Sequence, residues 1–161
     1  MPPVGAAPGY YQTSEFLAGK VAVGIIVPES DGSYDPSTEN WDRSRLDQVL
    51  SQIQAALDRW ARENPAGGLS LYYDVHYQVP TSYEPNDRSS GQSYLWVSET
   101  LANIDYPDAS RYYQTYACLN GLRVAYGTDW AIAVFVVDSL NDVDGVFSNG
   151  YLPTPTASSS S

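Results

Sequence analysis

The chain has 161 residues, of which 43% are hydrophobic, and this length and composition predict one globular domain with its own core. Eight basic residues stand against nineteen acidic ones, so the formal net charge is -11. That balance argues against nucleic acid and anionic membrane surfaces as partners, and it favours cations or a cationic protein. No apolar run in the sequence approaches the length of a membrane span, so we expect no membrane insertion.

Residues 1–19 are rich in Pro, Gly and Ala and show neither helical nor strand periodicity. We therefore expect an N-terminal arm. Its aromatic residues Tyr10, Tyr11 and Phe16 are expected to dock on the arm's own domain or on a neighbouring copy, which would be a self-association site. Residues 21–27 form a continuous apolar run that predicts a buried strand, and residues 29–35 form an acidic loop with strong turn signals.

A long helix is predicted next, with Asn40 as its N-cap and residues 64–68 as its end. Its apolar residues recur at spacings of three and four, which places them on one stripe: Leu46, Val49, Leu50, Ile53, Leu57 and Trp60. We interpret Trp41 and Trp60 as contacts between this helix and the sheet.

Residues 69–79 alternate between apolar and polar side chains, which predicts a half-exposed strand near the sheet edge. In that pattern Leu71, Tyr73 and Val79 share one face. His76, the only histidine, shares the other face with Asp74. We interpret it as a structural side chain bonded to a neighbour and not as a catalytic base, because no nucleophile or second histidine accompanies it.

Two further helices are predicted over residues 92–104 and 109–126, with Asp108 as the cap of the second and Gly121 as a weak point inside it. Cys118, the only cysteine, lies in that second helix. We expect a buried, inert thiol, since no cation or histidine stands next to it in the sequence.

Residues 130–137 are apolar without alternation, which predicts a strand buried on both faces in the middle of the sheet. The complete order is β-α-β-α-α-β, so the expected fold is an α/β three-layer sandwich with a mainly parallel sheet. We divide the chain into the arm at 1–19, an α/β domain at 20–152 and a Ser/Thr/Pro-rich tail at 153–161.

An acidic loop follows the predicted central strand, where open α/β sheets place their ligands. Its oxygen-bearing side chains could bind calcium: Asp138, Asn141, Asp142 and Asp144. The spacing does not fit an EF-hand, and Asp and Asn are also common turn residues, so a solvated turn is the preferred interpretation. No catalytic residues and no other cofactor are predicted, since phosphate-loop, dinucleotide-binding, nucleophile-elbow and zinc-peptidase motifs are absent from the sequence.

Three blocks, residues 13–33, 74–81 and 129–151, resemble the N-terminal half of secreted, metzincin-like bacterial zinc peptidases in their order and spacing. They include Val21-Ala-Val-Gly-Ile-Ile-Val-Pro-Glu, Asp74-Val-His-Tyr-Gln-Val-Pro-Thr and Ala131-Ile-Ala-Val-Phe-Val-Val-Asp. In that family a further edge strand and a His-Glu-x-x-His helix follow the acidic loop, whereas this sequence continues as Pro-Thr-Pro-Thr-Ala-Ser. The resemblance therefore implies the fold, and it implies zinc only if the missing half lies downstream.

Three functions remain open. The first is a non-catalytic extracellular domain used in binding or assembly, the second is a truncated part of an active zinc peptidase, and the third is a structural subunit of a surface layer or filament. Acidity, fourteen tyrosines and the Ser/Thr tail favour an extracellular or cell-surface location, although no leader is visible. A sheet that lacks its next strand exposes an edge, so we expect the arm, the tail, a second copy or another protein to cover it.

Overall fold

The computed structural model describes residues 8–63, 65–89, 91–107 and 110–141, together with the backbone of residues 146–147 and 150–151. The predicted tail and the predicted cap Asp108 lie outside these residues. Within them the elements follow the order β-α-β-α-α-β, which confirms the predicted α/β fold. None of the helices in this part of the chain is long and apolar enough to cross a membrane.

Three parallel strands form the sheet: β1 (Lys20–Ser30), β2 (Ser70–Thr81) and β3 (Trp130–Phe135). Three helices connect and cover them: α1 (Arg43–Glu63), α2 (Tyr94–Ala102) and α3 (Arg111–Tyr126). A short 3₁₀ turn, Pro65–Gly67, follows α1. Two short strands, β4 (Val146–Phe147) and β5 (Gly150–Tyr151), pair with each other in antiparallel fashion after β3.

The strand order is β2-β1-β3, so β1 is the central strand and the prediction that the strand after residue 130 is central was wrong. Each residue from Val21 to Val27 is fully buried, whereas the side chains from Ile132 to Phe135 are only partly buried. Both strands are apolar because helices cover both faces of the sheet. An apolar strand is therefore covered by helices on both faces, but it can still lie at the edge of the sheet, with a hydrogen-bonded strand on one side only.

Each face of the sheet carries its own core, which gives the three layers. On one face Val23, Ile25 and Val27 of β1 pack against Leu46 and Leu50 of α1. On the other face α2 and α3 pack on β1 and β3 through a second cluster: Ala22, Ile26, Leu101, Cys118, Leu119, Leu122 and Ala131. The apolar stripe of the sequence therefore identified the buried face of α1 from Leu46 to Leu57.

The alternation predicted for β2 breaks at a bulge. Gln78 has φ 46°, and the register to β1 shifts by one residue between Ile26 and Pro28. An extra residue in one strand reverses the face of every side chain beyond it. Val79 consequently packs against α2 and α3, while Tyr73 stays on the α1 face, so the prediction that these two share a face was wrong.

Two details of α1 also differ from the prediction. The helix begins at Arg43, and its N-cap is Asp42, not Asn40, because Asp42 Oδ1 accepts a hydrogen bond of 2.9 Å from the Arg45 amide. Trp60 does not pack on the sheet. Its side chain is 56% exposed and lines a shallow cleft of about 430 Å³ with Leu17, Glu63 and Leu69.

Candidate functional site

Parallel strands end together, so the loops after β1, β2 and β3 meet at one rim of the sheet, as expected from the sequence. Acidic side chains collect at this rim. Glu29 lies at the end of β1, Glu84 follows β2, Asp138 follows β3, and Glu39 precedes α1. We call this group, with Asp35, Arg45 and Arg88, the acidic rim.

Asp138, the first residue of the predicted calcium site, is used inside the fold. Its side chain is only 4% exposed and forms an ion pair with Arg45. Its Oδ1 accepts a hydrogen bond of 3.1 Å from the Leu140 amide, which is a turn contact. The Arg45 guanidinium also lies 5.1 Å from the centre of the Trp41 ring. A buried carboxylate paired in this way holds the loop after β3 against the start of α1.

Asn141 reaches the same rim through its backbone. Its amide donates a hydrogen bond of 2.8 Å to Glu39 Oε2, and Glu39 is itself only 4% exposed. Asp142 and Asp144 lie outside the described residues. In the part of the chain that is described, no three His, Cys, Asp or Glu side chains are arranged to hold a metal ion. The calcium site therefore stays a prediction that depends on residues beyond this part.

Glu84 anchors the loop that precedes α1. It is 1% exposed, and its Oε2 accepts hydrogen bonds from the amides of Thr38 at 3.1 Å and Glu39 at 3.4 Å. Burial raises the pKa of Glu84, and these two amides offset part of the rise. Because the loop amides are satisfied by this one carboxylate, Glu84 fixes the position of residues 38 and 39.

Asp35 and Arg88 form a second internal pair of the rim. Arg88 Nε donates a hydrogen bond of 2.7 Å to Asp35 Oδ2, and the Glu84 amide donates to the same oxygen at 3.0 Å. Burial raises the pKa of Asp35, but the hydrogen bond and the charge of Arg88 outweigh this effect and leave the pKa lowered. The pair ties the loop after β1 to the loop after β2.

Glu29 has a carboxylate oxygen without a partner. Its Oε2 is buried and has neither a hydrogen bond nor an ion pair among the described residues. Burial raises the pKa of Glu29, the Trp41 amide offsets part of the rise, and the charge of Glu84 adds to it. The other carboxylates of the acidic rim, those of Asp35, Glu39, Glu84 and Asp138, accept hydrogen bonds from amides of the surrounding loops.

The single histidine and the single cysteine lie on the side of the sheet that α2 and α3 cover. His76 Nε2 is 3.3 Å from Asp74 Oδ2, the neighbour expected from the sequence, and both side chains are about one-third exposed. Cys118 is buried, and burial together with the charge of Asp74 raises the pKa of its thiol to about 11. A thiol with that pKa is protonated at neutral pH and is a poor nucleophile.

The described part of the arm docks on its own domain, which is one of the two placements expected for it. Asn120 Nδ2 donates a hydrogen bond of 2.6 Å to the Tyr10 carbonyl. Arg123 donates to the carbonyls of Gly9 at 3.1 Å and Pro8 at 2.8 Å. These contacts place the arm along the outer side of α3.

The arm also reaches the sheet. The Ala131 amide donates a hydrogen bond of 2.8 Å to the Thr13 carbonyl, and Thr13 is 3% exposed. The ring of Phe16 lies 5.2 Å from the ring of Trp130. The arm thus covers the beginning of the outer edge of β3, as the sequence led us to expect of the arm, the tail or a partner.

The arm tyrosines continue into a connected series of rings. The ring centres of Tyr10 and Tyr11 are 5.1 Å apart, and those of Tyr11 and Tyr116 are 5.0 Å apart, both in edge-on contact. Tyr10 is 49% exposed and Tyr11 is 60% exposed despite these contacts. Their free faces therefore remain in contact with solvent.

A second aromatic group lies around Arg111, and Arg111, Tyr112 and Tyr116 line one cavity. The Arg111 guanidinium lies 5.0 Å from the ring centre of Tyr112 and 5.3 Å from that of Tyr94. Tyr112 is 63% exposed. We call this surface the aromatic face; its members are Tyr10, Tyr11, Tyr94, Arg111, Tyr112 and Tyr116.

Sequence reasoning identified only the arm residues of this face. Tyr94, Tyr112 and Tyr116 recur at helical spacing, and this pattern does not separate a core stripe from an exposed surface, because tyrosine fits both. The available signal was the arginine at 111 beside two consecutive tyrosines, an unusual composition for a solvated helix start.

No family model, no curated protein and no solved structure matched this chain in comparisons with known proteins. The resemblance to zinc peptidases therefore stays a prediction from the sequence.

Proposed function

We propose that this domain is a non-catalytic binding or assembly module and that it engages its partner through the aromatic face. The observations that support this proposal are the exposed tyrosines of this face and the guanidinium of Arg111, which lies against the rings of Tyr94 and Tyr112. Tyrosine and arginine are enriched at protein interfaces, because they supply large contact areas and polar atoms at a modest entropic cost.

The acidic rim supports the non-catalytic part of the same proposal. It stands where an α/β enzyme normally binds its substrate, but Asp138, Glu84 and Glu39 all accept hydrogen bonds or ion pairs from their own chain. Carboxylates that are bonded to their own loops have fewer oxygens free for a substrate or a metal ion. The rim is thus better suited to structure than to catalysis.

The test places a photo-reactive phenylalanine analogue at Tyr112 in the full chain, in the cells that produce it. We expect a discrete cross-linked product from this position. The matched control carries the same analogue at Val124, which is 84% exposed on the same helix but outside the aromatic face. Equal products from both positions, or none from Tyr112, would contradict the proposal.

The identity of the cross-linked product separates the two forms of the proposal. A product of twice the chain mass would indicate assembly of copies, as in a layer or filament, whereas any other mass would indicate binding of a different protein. A zinc-dependent peptidase assay on the same preparation checks the non-catalytic part. Hydrolysis that chelation abolishes would overturn it.

A further inference from the structure

The order β2-β1-β3 leaves two outer strand edges, and the arm covers only the beginning of the one on β3. Successive residues of a strand point their backbone groups to opposite sides. The Val136 amide bonds to the Ile26 carbonyl of β1 at 2.9 Å, whereas the Ala131 amide points the other way, to Thr13. By this alternation Ala133 and Phe135 also direct their backbone groups outward.

The arm satisfies only the first of these outward positions. Among the described residues, the amides of Ala133 and Phe135 make no outward hydrogen bond. An unpaired strand edge of this kind is a template for another extended chain, because its donors and acceptors are already fixed in a row. Natural sheets usually protect such an edge with charged residues or a cover, and β3 carries no charge over Trp130–Phe135.

A cavity of about 410 Å³ opens between the arm, α2 and α3, and Thr13 places it next to the start of this edge. Thr13, Val97, Tyr116 and Leu119 contribute to its lining, as does Arg111, whose charge favours an apolar or aromatic side chain over a basic one inside the cavity. Thr13 is bonded to Ala131, and Val97 and Leu119 belong to the same apolar cluster as Ala133 and Phe135. The cavity is therefore placed to receive a side chain from a strand that lies along β3.

We propose that the outer edge of β3 binds an extended segment of a cationic partner protein. The segment pairs its backbone with Ala133 and Phe135, inserts one apolar or aromatic side chain into the cavity and carries lysine or arginine at its ends. When a strand is added to a sheet edge, the backbone hydrogen bonds supply affinity and the alternate side chains supply specificity. The inference rests on the proposed binding function and adds the strand edge that a partner uses together with the aromatic face, since Arg111, Tyr112 and Tyr116 also line the cavity.

Charge decides between a cationic partner and a second copy. The chain carries a net charge of -11, so two copies repel each other at the edge. Two exposed carboxylates also flank the start of this edge, Glu15 two residues beyond Thr13 and Asp129 two residues before Ala131. A basic segment gains from both, whereas a second copy brings the same negative charges.

The experiment selects binders from a random peptide display library on the immobilised full chain and measures their affinities by fluorescence polarisation. We expect basic peptides with alternating apolar residues. The variant Ala133→Pro removes one outward amide but no bond to β1, a change that edge strands tolerate. Thr115→Trp fills the mouth of the cavity, which Thr115 helps to line. Each variant should weaken binding by roughly tenfold, the effect of about one well-formed hydrogen bond or contact.

Two controls guard against misfolding. Arg62→Trp places a tryptophan on the exposed side of α1, away from the edge, and should bind as the unmodified chain does. Peptides methylated on alternate backbone amides test the pairing without altering the protein. Methylation in one register should abolish binding, and methylation in the other register should leave it intact.

The alternative outcomes separate this inference from the proposed function. Selected peptides that ignore Ala133→Pro and Thr115→Trp, or that are acidic, would overturn the edge site and leave a binding role elsewhere on the surface. Self-association that Ala133→Pro abolishes would make a second copy the occupant and would overturn the cationic partner. A library that gives no binder would count against both proposals.

Discussion

Glu29 and Glu84 are carboxyl groups that the fold has withdrawn from water at the ends of neighbouring strands, and burial raises the pKa of each. A carboxyl group with a raised pKa in the folded state holds its proton more tightly than in the unfolded chain. Its effect on stability is therefore most favourable below the ordinary glutamate pKa of 4.5 and is lost as the pH rises through the folded-state pKa. At neutral pH the charged form of Glu29 opposes folding.

The variant Glu29→Gln should therefore be more stable than the unmodified chain at neutral pH, because it removes a buried charge that faces Glu84 and has an unsatisfied oxygen. The gain should shrink as the pH falls below 4.5. Urea unfolding over a pH series measures both effects. Glu63→Gln, whose side chain is 70% exposed, is the control and should change stability by less than about 0.5 kcal/mol. A lower stability of Glu29→Gln at neutral pH would contradict the argument.

Gly121 stands inside α3 for a packing reason that the sequence does not show. A Cβ atom at this position would lie 2.2 Å from the Tyr106 hydroxyl and 3.0 Å from the ring. Glycine in a helix interior usually costs about 0.5–1 kcal/mol relative to alanine, so alanine would normally stabilise the helix. Here the ring of Tyr106 needs the space, and glycine is the residue that provides it.

Gly121→Ala is thus expected to lower the free energy of unfolding by roughly 1 kcal/mol, since overpacking of about 1–3 kcal/mol outweighs the gain in helix propensity. Thermal and urea unfolding measure the change. In a Tyr106→Phe background, which removes the hydroxyl, the same substitution should cost less. An equal cost in both backgrounds would show that the strain lies elsewhere.

At the scale of elements, the sequence predicted the existence and order of the strands and helices but missed two features. The bulge in β2 falls on Gln78, and glutamine gives no warning of a positive φ, as glycine or asparagine would. The central position of β1 was missed because both β1 and β3 are apolar on two faces. Periodicity reports burial of side chains, whereas strand order depends on backbone pairing between distant segments.

The arm is an element held by few contacts, so its attachment can be weakened without disturbing the core. In the double variant Asn120→Ala, Arg123→Ala the arm loses its side-chain hydrogen bonds to the carbonyls of residues 8, 9 and 10. These bonds contribute about 0.5–1.5 kcal/mol each, so chymotrypsin should cut after Tyr10 and Tyr11 roughly tenfold faster. Arg62→Ala is the control. An unchanged rate would show that Thr13 and Phe16 alone hold the arm.

At the scale of the whole molecule, the net charge of -11 acts against the compact state. The ion pairs on α1, Arg43–Asp47 and Arg59–Glu63, are largely exposed and contribute about 0–1 kcal/mol each. We therefore expect the repulsion among the excess negative charges to outweigh the stabilisation from these exposed ion pairs. The buried pair of Arg45 with Asp138 lies in a protected environment and responds less to salt.

We expect the free energy of unfolding to rise as sodium chloride is raised from low to physiological ionic strength, where the screening length falls to about 8 Å. Urea unfolding measures this, and potassium chloride should give the same shift. Calcium chloride at equal ionic strength tests the predicted cation loop. A larger shift with calcium would indicate binding at Asp138, Asn141 and their neighbours, whereas falling stability in sodium chloride would contradict the repulsion argument.

The sequence by itself determined the fold class, the buried stripe of α1, the buried thiol of Cys118 and the presence of acidic side chains at the strand ends. Each of these follows from local spacing or composition, which folding does not change. Only the tertiary structure decided that β1 is central, that Asp138 pairs with Arg45, and that Tyr11 of the arm meets Tyr116. These outcomes depend on contacts between residues far apart in the chain, because strand pairing, burial and charge pairing are determined by the neighbours that each residue has in the folded structure.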